Sequence, residues 1–111
     1  MKKYVLRFLP EYNCSSLWYE NDAAYDKYGV DSIEYSDVGL SSSLIQELEK
    51  FDESILNIID WNDPGGPCPL SKSERMEIYN EGQRLLSLVR TELDDEFEII
   101  DCLDWLKPKN E

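Results

Sequence analysis

The middle of the chain combines groups that could perform chemistry with groups that break helices. The stretch Asp60 to Glu74, DWNDPGGPCPLSKSE, holds acids, two glycines, three prolines and a Lys-Ser pair. A phosphate-binding loop needs that pair directly after its last glycine, and it needs a strand before the loop. Here PCPLS separates Gly66 from Lys72, and a helical pattern precedes the stretch. The phosphate-loop interpretation is excluded, and we predict a rigid corner between two helices.

Paired carboxylates are the second kind of candidate site. Such pairs hydrolyse glycosides or bind a hard cation, but a chain with 24 acids contains close pairs by chance. The absence of His removes the commonest general base and the Ser-His and Cys-His nucleophile pairs. The close pairs considered are Asp60 with Asp63, and the cluster Asp94, Asp95, Glu96 and Glu98. We predict no catalytic residue, no metal site and no cofactor, and we expect the protein not to be an enzyme.

The cysteines and the apolar runs indicate the compartment. Cys14, Cys68 and Cys102 are far apart and odd in number, which favours reduced thiols. Arg7 and Pro10 interrupt the only run that resembles a secretion signal, and no stretch approaches the roughly 20 apolar residues of a membrane span. We expect a cytoplasmic protein that binds no membrane.

The elements that position these residues are predicted from periodicity. Alternating patterns predict strands over Tyr4 to Pro10 and over Phe97 to Leu103. Asn21 as an N-cap and Gly29 at the C′ position predict a short helix between them. An apolar stripe over Ser43 to Ile59 predicts a long helix, with Ser43 and Gln46 as its capping box.

A second long helix is predicted to begin at a capping box of Ser71 and Glu74. Gly82 inside it is expected to mark a close approach to another element. The two terminal strands are predicted to pair in one small sheet, extended by residues 17–19 or 33–35, because isolated strands are marginally stable. The predicted fold class is α+β: one small domain over residues 1–111, with a sheet that includes the N- and C-terminal strands and is covered by two long helices. Residues 1–3 and 107–111 are expected to fray.

Charge is the most uneven property of the chain. Its 24 acids and 11 bases give a net charge of −13. Residues 20–63 carry twelve of these acids and only two lysines, so the middle of the chain is the negative pole. Such a field repels nucleic acids and anionic membranes and attracts basic proteins.

The same region interleaves aromatic residues with acids, which is typical of a protein-binding surface: rings supply buried area and acids orient a basic partner. For Trp18 and Tyr28 we favour a place in the core; for Tyr19, Tyr25 and Tyr35 core and surface are equally open. Trp61 is expected to plug the end of the first long helix, with an exposed anchor as its alternative. The predicted partner-binding residues are Tyr19, Glu20, Asp22, Tyr25, Asp26, Glu34, Tyr35 and Asp37, with Asp60, Trp61 and Asp63 nearby.

Short motifs along the chain give a family resemblance. They are LW-x-x-ND-x-A-x-x-x-YG, GLS before a Leu-rich helix, DW-x-x-P, an LS-x-x-E helix start and EL-x-x-x-FEIID. Together, from Tyr4 to Asp101, they resemble small immunity proteins of bacterial polymorphic and contact-dependent growth inhibition toxin systems. The resemblance implies a stoichiometric inhibitor of a cognate toxin domain, often a nuclease, and it transfers no catalytic residue.

Charge and resemblance favour one hypothesis: an immunity protein, expected to be monomeric, that covers the basic cleft of a nuclease toxin and contacts no nucleic acid itself. A second hypothesis is an acidic nucleic-acid mimic or adaptor without a cognate toxin. A third is a carboxylate-dependent enzyme, which requires an acid with a strongly raised pKa in a pocket.

Overall fold

The fold is built on a three-stranded sheet. The computed structural model describes residues 3–12, 14–63 and 65–108. Strand β1 (Tyr4–Phe8) lies in the centre, antiparallel to β2 (Leu17–Tyr19) and parallel to β3 (Phe97–Asp101). The predicted pairing of the terminal strands is therefore confirmed, and the third strand comes from residues 17–19, one of the two predicted candidates.

In the described part of the chain, three α-helices accompany the sheet: α1 (Asp22–Tyr28), α2 (Ser42–Ile55) and α3 (Lys72–Glu92). The Asn21 side chain accepts a hydrogen bond from the backbone of Ala24, and Gly29 ends α1 with φ at 87°. The capping box of Ser71 and Glu74 forms at the start of α3. These three signals were predicted correctly because each depends on residues within one turn of the helix end.

Two local predictions were wrong. The N-cap of α2 is Ser41 rather than Ser43, and its hydroxyl accepts a hydrogen bond from the backbone of Leu44. The helix ends at Ile55 and continues as a 3₁₀ turn over Leu56–Ile58. The final turn tightens because i→i+3 bonds satisfy carbonyls that a helix end leaves free.

The candidate strand at residues 33–35 does not form. The backbone of Ile33 donates a 2.7 Å hydrogen bond to the Leu17 carbonyl at the edge of the sheet, and the chain then enters a 3₁₀ turn over Tyr35–Val38. A third 3₁₀ turn, Asp104–Leu106, follows β3.

The core lies between the sheet and the two long helices. Phe8 of β1 stacks on Phe51 of α2, with ring centroids 6.2 Å apart. Gly82 of α3 is buried against Phe51 and Leu103, which confirms the predicted close approach. Tyr4 packs against Tyr28 of α1. The predicted α+β class, with terminal strands in one small sheet and two long helices over it, is confirmed.

The corner between α2 and α3 consists of turns and bends in the residues that the structure describes. Within those residues, no helix is long and apolar enough to cross a membrane. The fraying predicted for residues 1–3 and 107–111 stays a prediction, and residues 1, 2 and 109–111 lie outside the described part of the chain.

Candidate functional site

The start of α1 is fastened to the sheet by one side chain. Besides capping α1, Asn21 accepts a 3.2 Å hydrogen bond from the backbone of Val5, and its amide donates to the Lys3 carbonyl over 3.0 Å. The three bonds use both ends of the side-chain amide. The residues on either side of Asn21 are consequently held in a defined orientation to β1.

These neighbouring residues form what we call the α1 patch: Tyr19, Glu20, Asp22, Tyr25 and Asp26. The rings of Tyr19 and Tyr25 meet edge to face, with centroids 5.1 Å apart. Tyr25 is 45% exposed, whereas Tyr19 is half-buried against the core.

Charge surrounds these two rings. Asp22 and Asp26 are exposed on α1, and Glu20 lies 3.1 Å from the Arg7 guanidinium. The ion pair between Glu20 and Arg7 contributes little to stability, because more than a third of each side chain is exposed to solvent. The patch therefore presents aromatic area with carboxylates beside it, and its role in partner binding stays a prediction.

A second region surrounds the 3₁₀ turn that begins at Tyr35. Glu34 and Asp37 are exposed, but Tyr35 is buried, with 5% of its surface accessible. Its ring belongs to the core, so we leave Tyr35 out of the contact surface proposed below. The turn borders a cleft of about 450 Å³. Four acids line this cleft: Glu34, Glu49, Asp52 and Glu53.

Asp52 is the most perturbed carboxyl in this cleft. Burial raises its pKa to about 6, although hydrogen bonds from Tyr35 and Ser16 act in the opposite direction. The Tyr35 hydroxyl donates to Asp52 Oδ2 over 2.5 Å, and the Ser16 hydroxyl donates to Oδ1 over 2.7 Å. Burial and the neighbouring Asp52 charge raise the pKa of Tyr35 far above its usual value.

This arrangement bears on the enzyme alternative, which requires an acid with a raised pKa in a pocket. Asp52 meets that description, but each of its oxygens already accepts a hydrogen bond from a hydroxyl. A general base must reach the proton that it abstracts. The geometry favours a structural role, in which Asp52 ties α2 to Ser16 and to the turn at Tyr35.

Trp61 in the corner does not plug the end of α2, which corrects that expectation. Its side chain is 54% exposed, and its indole N–H donates a 2.9 Å hydrogen bond to the Leu56 carbonyl. The neighbouring Asp60 carboxylate accepts from the backbone of Asn62, and Asp63 is exposed in the same turn. The indole satisfies a carbonyl near the end of the helix while most of its ring faces solvent.

The predicted contact residues lie in three places: the α1 patch, the 3₁₀ turn at Tyr35 and the corner at Trp61. Glu20 donates its backbone N–H to the Val5 carbonyl, so the α1 patch lies at the beginning of the strand. Trp61 packs on Tyr12, which follows the end of the strand, with ring centroids 5.6 Å apart. Trp18 and Tyr28, expected in the core, are half-buried.

Sequence reasoning missed Asp52 and its partner Ser16. A weak signal existed, because Ile45, Glu49 and Asp52 recur at helical spacing and form one stripe of α2 along the cleft. No sequence signal indicated Ser16, because it lies 36 residues from Asp52 in the chain. Within the described residues, no group of three or more His, Cys, Asp or Glu side chains is placed to hold a metal ion, and the three cysteines are not joined.

Comparison with known families agrees with the resemblance seen in the short motifs. The model of a family described as Serratia CdiI immunity protein-like matches residues 4–102. No curated protein matches the chain significantly. The family match includes all three strands and all three helices up to Cys102. The chain therefore belongs to the Serratia CdiI immunity protein-like family.

Proposed function

We propose that this protein is an immunity protein that binds a cognate bacterial toxin domain, a nuclease, and neutralises it through the α1 patch. Membership of an immunity protein-like family supports the antitoxin role. The observation that carries the choice of surface is the fixed pair of rings, Tyr19 and Tyr25, beside the exposed carboxylates Asp22 and Asp26.

The mechanism follows from opposite charges. A nuclease needs a basic cleft to hold phosphates, and the net charge of −13 on this chain attracts such a cleft. This electrostatic attraction raises the rate at which the two proteins associate, whereas aromatic rings buried at the interface slow dissociation. Occupying or covering the basic cleft keeps nucleic acid out of the toxin without any chemistry by this protein.

The test needs the cognate toxin domain, which is to be sought in the genes next to the one for this chain. Purified toxin domain is incubated with DNA or RNA while this protein is titrated in. We expect nuclease activity to fall linearly to zero at a 1:1 ratio, and a complex of that stoichiometry in size-exclusion chromatography. Full activity at excess protein would contradict the proposal.

A specificity control separates immunity from general nucleic-acid mimicry. A mimic competes with DNA for many unrelated DNA-binding proteins, whereas an immunity protein has one tight partner. An unrelated basic nuclease serves as the second target in the same titration. We expect it to remain active at concentrations that fully silence the cognate toxin domain.

A further inference from the structure

Three aromatic residues from distant parts of the chain meet beyond the end of β1. The ring of Tyr12 contacts the rings of Trp61 and Trp105 edge to face, with centroid distances of 5.6 and 6.2 Å. We call these three residues the aromatic cluster. They come from the loop after β1, the corner after α2 and the 3₁₀ turn after β3, so only the folded chain brings them together.

Hydrogen bonds hold one ring of the cluster and the backbone beside another. The Trp61 indole donates to the Leu56 carbonyl over 2.9 Å. The guanidinium of Arg75 donates to the carbonyls of Trp105 and Leu106, over 2.7 and 3.0 Å. The Trp61 indole and the backbone at Trp105 are therefore held before a partner binds, which removes part of the entropy cost of association.

Both tryptophans are exposed: Trp61 by 54% and Trp105 by 37%. A single exposed ring is normal on a protein surface, but contiguous exposed aromatic area marks an interaction site. Tryptophan and tyrosine are also the residues most enriched among those that dominate binding energy. The cluster has the composition of a binding centre and lies outside the α1 patch.

An acid directly precedes each ring of the cluster. Glu11 precedes Tyr12, Asp60 precedes Trp61 and Asp104 precedes Trp105, and all three acids are exposed. Two cations of the protein also lie nearby: Arg75 donates to backbone carbonyls, and Lys107 lies 3.7 Å from Asp104. Glu11 and Asp60 therefore supply most of the attraction for a cation of a partner. Ring faces and carboxylates both attract cations, so the chemistry that fits this surface is an arginine or lysine side chain.

We propose that the aromatic cluster is a second anchoring surface, which receives an arginine- or lysine-bearing segment of the toxin domain on the exposed rings of Trp61 and Trp105, with the neighbouring acids attracting its charge. This inference rests on the proposed function, because the occupant is the toxin domain. It adds that binding extends past the α1 patch to the opposite end of β1.

The indole N–H signals of the three tryptophans in a proton-nitrogen NMR spectrum give the most direct test. The cognate toxin domain is titrated into the wild-type protein. We expect the signals of Trp61 and Trp105 to shift or broaden more than that of Trp18, because Trp18 is half-buried whereas Trp61 and Trp105 are exposed. Binding with both exposed indoles unchanged would overturn the aromatic anchor.

Single substitutions measure how much each ring contributes to toxin binding. Trp61→Ala and Trp105→Ala remove rings of residues that are 54% and 37% exposed, and we expect each to weaken toxin binding by about 30-fold or more, as for residues that dominate an interface. Replacing Glu11, Asp60 and Asp104 by their amides should also weaken binding, more than amides at Asp31, Glu77 and Glu98, which carry the same charge change elsewhere. Equal effects of the two triple variants would contradict the carboxylate part.

The outcomes distinguish the two proposals. If the wild-type protein does not bind the toxin domain, the proposed function fails and the anchor fails with it. If binding is tight but unaffected by either tryptophan variant, only the anchor is wrong. A second copy of this chain is the other possible occupant of the cluster, and analytical ultracentrifugation of the free protein tests for it. A dimer that Trp105→Ala converts to a monomer would show that a second copy, rather than the toxin, covers the cluster.

Discussion

The hydroxyl of Tyr35 lies 2.5 Å from Oδ2 of Asp52 and donates to it, while the same hydroxyl oxygen accepts a 2.9 Å hydrogen bond from the backbone N–H of Ser16. The contact joins the 3₁₀ turn at Tyr35, the last turn of α2 and the loop before β2. Ser16 is fully buried, so its N–H depends on this protein acceptor. The Tyr35 hydroxyl therefore satisfies a buried backbone donor and connects Asp52, one of the acids that line the cleft, to the core.

Tyr35→Phe should destabilise the protein. The change keeps the buried ring but leaves the Ser16 N–H without its acceptor and removes a donor from Asp52. We expect the free energy of unfolding to fall by about 1–3 kcal/mol, the usual cost of an unsatisfied buried polar group. Denaturant unfolding measures it, with Tyr25→Phe as the matched control, because the Tyr25 ring is exposed. Equal stability of the two variants would contradict the role given to the Tyr35 hydroxyl.

Asp52 should make stability depend on pH in the direction opposite to most carboxyls. Its folded pKa of about 6 lies above the ordinary value of 3.8, so the folded state binds more protons between these values. Its contribution to stability should fall as pH rises through this window, by at most about 3 kcal/mol at 1.36 kcal/mol per pKa unit. Asp52→Asn removes the titration, so wild-type stability minus variant stability should decrease between pH 4 and pH 7. Parallel curves would show that Asp52 titrates normally.

Gly82 should not tolerate a larger side chain. A Cβ atom there would lie 3.1 Å from both Leu103 Cδ2 and Phe51 Cζ, between α3, α2 and the segment after β3. We expect Gly82→Val to lower the free energy of unfolding by about 1–3 kcal/mol through overpacking. Gly65→Val is the control, since nothing lies within 4 Å of a Cβ at that position. The prediction fails if thermal unfolding shows the same small change for both variants.

The parts of the fold that sequence predicted correctly depend on local chemistry. Asn21 and Gly29 delimit α1, and Ser71 with Glu74 starts α3, because cap residues bond to backbone groups three or four positions away. The start of α2 was misplaced because Ser41, Ser42 and Ser43 offer the same side chain. Ser41, which caps α2, also makes a contact that is distant in sequence: Glu92, at the end of α3, accepts hydrogen bonds from its N–H and its hydroxyl.

Contacts between residues that are far apart in the chain could not be predicted from the sequence. The burial of Tyr35 follows from its contacts with Ser16 and Asp52, 19 and 17 residues away. The exposure of Trp61 follows from the 3₁₀ turn that ends α2 and places the indole beside the Leu56 carbonyl. An apolar stripe predicts which residues face the core, but it does not show where that core ends.

Charge reversal in the α1 patch should slow association with the toxin domain. Asp22 and Asp26 are exposed on α1, so Asp22→Lys with Asp26→Lys changes the local field without removing core contacts. We expect the association rate at low salt to fall by at least about tenfold, and its decrease with added salt to become shallower, because steering is screened by ions. Stopped-flow fluorescence measures the rate, and Glu53→Lys with Glu77→Lys is the control of equal net charge. If the control slows association equally, total charge rather than the α1 patch steers the encounter.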